Sequence, residues 1–433
     1  MLVKVFKTDA FLVFFGRLIS RGAMFFVLLI LTASMSLEDI GFYGVLSSAI
    51  YIAVFLFSLG LRQSVAFFFA KEILSHQHLK STTFLTYSAL SIFGFLALCF
   101  YSFYFVGWKD IGISTVLIFS LSIFPMLFIY INQGFFLGSG DVSSFNTSEV
   151  IPKVSFFVVV LSLSLFMDDF TLQLVFFSFL LANLIGAGYT LGKSDLSELK
   201  FQFGFNILHD INLLVKHGFP FAITLVLLLV IPFSTIFIAK YLYGAAVAGI
   251  YFLAYKFADI FAEVATATGM VAFSKGIRSK NPKRNIVSVL TSAWILFIIS
   301  LVAALVLSIL CYFFAGNYVS DYSNEHLFSI ILILLSLPFL CFTRVIGPAL
   351  SACGLASRVA LSQFLSFIFL VLSTLSACYL YSYSGLGIGF FSTRVIYFIL
   401  LNSILCRKFC FSFVNVAIPN FRRLFRNVRR YLN

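Results

Sequence analysis

Apolar runs of about 20 residues, long enough to cross a bilayer as a helix, recur twelve times along the chain, near 9–35, 40–70, 83–107, 114–138, 149–167, 170–192, 219–241, 246–274, 286–315, 326–350, 357–381 and 386–406. A chain in hydrocarbon must satisfy its own backbone hydrogen bonds, so each run predicts a helix. The longest polar interruption, 193–218, separates six runs from six. Within it Ile207, Leu208, Ile211 and Leu214 form an apolar stripe that predicts an amphipathic connector helix at the membrane surface. The domain reading follows: 1–192 an N-lobe, 193–218 the cytoplasmic connector, 219–406 a C-lobe, 407–433 a tail. In the tail Phe421, Leu424, Phe425, Val428 and Tyr431 recur at helical spacing among five arginines, the pattern of a basic helix lying on an anionic leaflet.

The halves echo one another. Gly41-Phe-Tyr-Gly-Val opens the second run and Gly249-Ile-Tyr-Phe-Leu the eighth, at an offset of 208. The fourth run leaves through Gly134 and Gly140, the tenth through Pro348 and Gly354. A parallel repeat about an axis along the membrane normal accounts for both. Pro125, Pro232, Pro338 and Pro348 fall inside runs 4, 7 and 10 and predict bends there.

Composition agrees: 61% of residues are hydrophobic and 10% charged, against roughly 25% charged in soluble domains, and mean hydropathy is +1.07. The net charge of +13 is topological. One set of loops, with the tail, holds 21 basic residues and the opposite set only Lys109 and Lys240, which puts both termini in the cytoplasm and leaves nucleic acid unneeded as a partner. The seven cysteines sit mostly in apolar runs without paired spacing and read as small core residues. A long first run followed by a second does not fit a removable signal peptide.

Six basic residues lie inside runs: Arg17, Arg21, Arg62, Lys256, Arg344 and Arg394. Each charge near the bilayer midplane costs about 2.5 kcal/mol or more. Arg17 and Arg21, at i and i+4, share a helix face and repel unless an anion joins them; a diphosphate, taken by paired hydrogen bonds, is one reason for them, and snorkelling to the interface is the other. Arg62 carries the same two readings, whereas for Arg344 and Arg394 the alternative to substrate contact is structural pairing with backbone carbonyls. Lys256, Asp259 and Glu263 occupy a sector of about 60° at 100° per residue. Lys256 and Asp259 at i, i+3 could neutralise each other; alternatively Asp259 and Glu263 serve ion coupling, since burial raises a carboxylate pKa and a nearby lysine lowers it. The apolar interiors of the first six runs hold no acidic residue by these boundaries, which disfavours binding of organic cations there.

No G-x-x-x-x-G-K-[ST] loop, H-E-x-x-H or Cys/His cluster is present, and the five histidines (76, 78, 209, 217, 326) lie in loops or at run ends. Asn146-Thr-Ser matches a glycosylation sequon on the cytoplasmic side, a chance match. Short outer loops leave no room for an extracytoplasmic catalytic domain. Transport without catalysis, metal or cofactor is the expectation, with an H⁺ or Na⁺ gradient as the coupling source.

The stretch GRLISRGAMFFVLLILTASMSLEDIGFYGVLSSAIYIAVFLFSLGLRQS resembles the opening of bacterial polysaccharide-biosynthesis flippases of the multidrug/oligosaccharidyl-lipid/polysaccharide (MOP) exporter superfamily. The glycine-bearing exits INQGFFLGSGD (131–141) and GPALSACGLASR (347–358) resemble theirs too. The resemblance covers the whole chain and implies an all-α protein of twelve transmembrane helices in two pseudo-symmetric six-helix lobes, V-shaped, alternating access for an undecaprenyl-diphosphate-linked oligosaccharide in the bacterial inner membrane, with O-antigen, capsule or exopolysaccharide synthesis as the setting and the glycan polymerase machinery as an associate. Related peptidoglycan-precursor flippases carry basic residues in spans 1, 2 and 8 around the diphosphate. Arg17, Arg21, Arg62 and Lys256 stand in comparable places, with Lys256 facing the first lobe's arginines; Tyr130, Asn132 and Gln133 lie at a depth suited to sugars. That family's two extra C-terminal spans are missing here. A cation-coupled multidrug exporter of the same superfamily and a membrane glycan polymerase or ligase are the alternatives.

Overall fold

The computed structural model describes residues 2–167, 170–194, 207–278, 282–318 and 324–409. Every predicted run is helical, and among these residues no strand occurs. Spans 1 to 6 are built from Leu2–Ser34, Leu37–Phe57 with Leu61–Ala70, His76–Tyr101, Ile113–Leu121 with Ile123–Ser139, Val142–Phe166 and Leu172–Lys193. Spans 7 to 12 are Ile207–Tyr243, Ala245–Arg278, Pro282–Tyr318, Asn324–Leu335 with Leu337–Leu350, Ala356–Tyr381 and Ser384–Phe409. Eleven stretches are long and apolar enough to cross a membrane; one of them, Glu325–Tyr381, is 57 residues and contains spans 10 and 11, so the crossings number twelve among the described residues. The basic tail helix falls outside them.

Spans 4 and 10 break in the same way. Pro125 cannot donate to the Leu121 carbonyl, nor Pro338 to that of Leu334, and the helices part at Ser122 and Ser336. Each serine hydroxyl turns back onto its own helix, to the carbonyl of Ile118 (3.2 Å) and of Ile333 (2.6 Å). The chain then leaves through a left-handed glycine, Gly140 (φ 78°) or Gly354 (φ 80°). Break and exit correspond at one offset of 214, so the repeat seen in sequence is structural. Pro232 leaves the helix Ile207–Tyr243 unbroken.

Two expectations change. Span 2 is not one helix: the chain turns at Leu59 (φ 46°) and Gly60 (φ 70°), so Arg62 opens a second, short helix. The described part of the connector runs straight into span 7, and its buried face is Asp210, Leu214 and Gly218, while Leu208 of the predicted stripe is 77% exposed. Polar contacts hold it: His78 Nε2 meets Asp210 at 2.5 Å and Ser64 donates to the Leu214 carbonyl at 2.7 Å, with the His217 ring stacked on Phe67.

The chain forms two compact units, one of Met1–Leu229 with Lys240–Ile250, the other of Val230–Ala239 with Tyr251–Asn433. In the first, Phe119 packs edge to face on Phe176 and Phe156 on Phe179, with Tyr43 tilted against Phe176, across spans 2, 4, 5 and 6. In the second, Trp294, Phe297, Phe342 and Phe398 do the same. The hairpin tip Lys240–Ile250 belongs to the first unit. Lys240 donates to the carbonyls of Phe105 and Val106. The two echoed glycines meet there: a Cβ on Gly41 would strike the Ala245 carbonyl, and one on Gly249 the Leu37 carbonyl and the Gly41 backbone. Backbone-to-backbone crossings of this kind need glycine.

Candidate functional site

Span 1 and span 5 run parallel in the first unit. The Asn146 amide lies where a Gly16 side chain would be, and Phe26 packs on Phe157 at 5.8 Å. This register of 130–131 residues sets Glu149 level with residues 18 and 19, between Arg17 and Arg21. Glu149 is therefore an acid within the span. The helix starts at Val142, capped by Asp141 through the Ser144 amide at 3.0 Å, seven residues earlier than its hydropathy indicates. The expectation concerned the apolar interiors of the runs, and Glu149 stands at the edge of one; the cap residue Asp141 in GSGD was the signal that the helix reaches further back. Glu149 also faces Lys153 at 3.9 Å, each side chain about one third exposed (34% and 32%), and its charge interacts with Arg17, Arg62 and Arg21.

Arg62 reaches the same place from the far side of the Gly60 turn. Its guanidinium lies 4.2 Å over the Tyr130 ring, and Nη1 donates to Gln133 Oε1 at 3.2 Å. Gln133 donates onward to the Ser148 hydroxyl, 3.2 Å away. Pro152 cannot donate to the Ser148 carbonyl four residues earlier, which leaves that acceptor beside the network. Tyr130 and Gln133, expected as sugar contacts, here hold Arg62, and Asn132 bonds back to the Phe128 carbonyl at 2.8 Å. Arg17, Arg21 and Arg62 thus all act on one carboxylate.

The second unit gathers the other five predicted residues. Arg344 donates to Asp259 at 2.5 Å and to Thr266 at 3.1 Å, so Asp259 is neutralised from span 10. Glu263 adds to the field at Arg344. Lys256 stands over the rings of Phe252 and Phe233, at 5.3 and 5.5 Å. Arg394 is buried with its guanidinium 4.8 Å over Phe390 and interacts with Tyr255 and Arg344. Two cationic patches result, one in each unit.

The model of the family described as polysaccharide biosynthesis protein matches residues 6–274. The chain belongs to that family. No curated protein sequence matches it. Among solved structures, the chain is similar to the lipid II flippase MurJ in an inward closed conformation (15% identity, TM-score 0.72, covering 96% of this chain and 91% of that one). It is also similar to an inward-facing multidrug resistance MATE family transporter of the MOP superfamily (14%, 0.65, 89% and 95%) and to a eukaryotic MATE transporter, AtDTX14 (12%, 0.62, 99% and 99%). At these identities the likeness establishes the fold: the chain is a multi-pass membrane protein with the fold of these structures.

Proposed function

We propose that the chain is a flippase, not an enzyme, that carries polyisoprenyl-diphosphate-linked oligosaccharide repeat units across the bacterial inner membrane by alternating access, with both termini cytoplasmic, for O-antigen, capsule or exopolysaccharide assembly. The observation that carries this reading is the convergence of Arg17, Arg21 and Arg62 inside one unit of a polysaccharide-biosynthesis fold. Arginine takes phosphate through paired hydrogen bonds, and a dianionic head group offsets charges that hydrocarbon would otherwise penalise. Within the second unit Lys256 is the further diphosphate-binding candidate, and Asp259 with Glu263 supplies the carboxylates for coupling to H⁺ or Na⁺. The reading extends to the glycan polymerase machinery as the consumer of the flipped unit.

A cation-coupled multidrug exporter is the second reading, favoured by Glu149, an acid in the first unit, and by the likeness to MATE transporters. Deletion separates the two. A flippase deletion accumulates cytoplasm-facing lipid-linked repeat units, rescued by the wild type and not by Arg21→Ala. Normal rescue by Arg17→Ala, Arg21→Ala and Lys256→Ala alike would sink the diphosphate site, and drug resistance on overexpression would favour the exporter.

A further inference from the structure

Glu149 sits where a phosphate should. The register between spans 1 and 5 sets its carboxylate between the levels of Arg17 and Arg21, and the Arg62–Gln133–Ser148 line ends one residue away from it. Among the described side chains of the first unit, the other carboxylates (Glu38, Asp39, Glu72, Asp110, Asp141 and Asp210) lie at helix ends or in loops. Guanidinium groups at i and i+4 repel without an anion between them, and an uncompensated buried charge is costly. Arg17, Arg21, Arg62 and Lys153 all act on this one carboxylate. Glu149 is not sealed in, since a third of its side chain is exposed. Lys153, one turn further along the same face, already lies 3.9 Å from the carboxylate and can keep it when the arginines are taken.

Building on the anion-binding reading of the same arginines, we propose that Glu149 is a resident stand-in for the substrate's phosphate. Its carboxylate offsets the arginine charges while the site is empty, and a phosphate group, with more charge and more acceptor oxygens, takes the arginines over and leaves the carboxylate to Lys153 alone. Selectivity follows from this exchange. A monoanionic ligand gains little by replacing one carboxylate with another, whereas a diphosphate gains an additional charge and additional hydrogen bonds. Glu149 thereby acts as a specificity-determining residue that disfavours weakly charged lipids.

The test measures inorganic pyrophosphate binding to the full chain in lipid nanodiscs by calorimetry, with thermal unfolding of each variant in parallel. Glu149→Gln removes the competitor and should tighten binding about tenfold. Glu149→Asp keeps the charge but shortens its reach to the arginines, so it should tighten binding as well, by less. Arg21→Gln should abolish it. Unchanged affinity in both Glu149 variants, with Arg21→Gln still abolishing binding, overturns the role of Glu149 and leaves the anion site standing. A gain in Glu149→Gln with none in Glu149→Asp also overturns it, since field alone then accounts for the effect. Weaker binding in Glu149→Gln with a lower unfolding temperature marks a fixed structural pair and overturns it too. Absence of pyrophosphate binding in the wild type and every variant overturns the anion-site reading itself.

Discussion

Arg344 and Asp259 are largely buried, 18% and 10% exposed, and meet at 2.5 Å. Removing one partner leaves an uncompensated charge in the second unit, and such a loss costs about 3–5 kcal/mol. Arg344→Met should therefore lower the unfolding temperature sharply in detergent, and Arg344→Met with Asp259→Leu should recover most of it; additive losses would show that the pair is not the source. The sequence made both residues conspicuous without showing that they meet, because a helical face displays only neighbours three or four positions away and these partners are 85 apart. Lys256 was the local candidate for Asp259, and the bond to Arg344 comes from a different span. Glu149 was hidden for a different reason: hydropathy marks where a helix enters hydrocarbon, and span 5 begins two turns before that point.

Two kinds of element depend on local backbone chemistry. Gly140 and Gly354 occupy left-handed conformations at equivalent exits, where a side chain costs about 1–2 kcal/mol. Gly140→Ala and Gly354→Ala should each lower the unfolding temperature, with Asn tolerated better than Ala at both. The connector behaves differently, held by His78 to Asp210 and by Ser64 to the Leu214 carbonyl. Hydrogen bonds to charged groups contribute about 1.5–3 kcal/mol, so Asp210→Ala should speed amide exchange across 207–218 by tenfold or more, while exchange in span 12 stays as in the wild type. Here the pattern of Ile207, Leu208, Ile211 and Leu214 misled: apolar periodicity identifies a helix, but it does not tell a face turned to lipid from one docked on protein through a buried aspartate. The breaks in spans 2, 4 and 10 were partly visible, through their prolines and glycines, whereas Leu59 with its positive φ carries no such mark.

On the scale of the whole molecule, hydropathy alone was enough for twelve helices, since hydrocarbon admits so few alternatives, and the 208-residue echo pointed at a duplication. What the echo did not show is that its two glycines touch. Gly41 and Gly249 lie backbone against backbone, and each also faces the residue that opens the other's helix, Leu37 or Ala245. Gly41→Val and Gly249→Val should therefore each impair folding and surface-glycan export. The double variant should be little worse than either single one, because both act on one contact; fully additive losses in unfolding temperature would contradict this.

A contact whose two sides are the same repeat position has a further meaning. Two-fold interfaces in homodimers are self-complementary: the residue on the axis meets its own copy. If Gly41 and Gly249 descend from one residue, their ancestor met itself, in a pair of six-span protomers inserted with the same orientation. In a fused chain each copy would be free to vary elsewhere. The glycine contact would not, because a side chain on either copy collides with the backbone of the other.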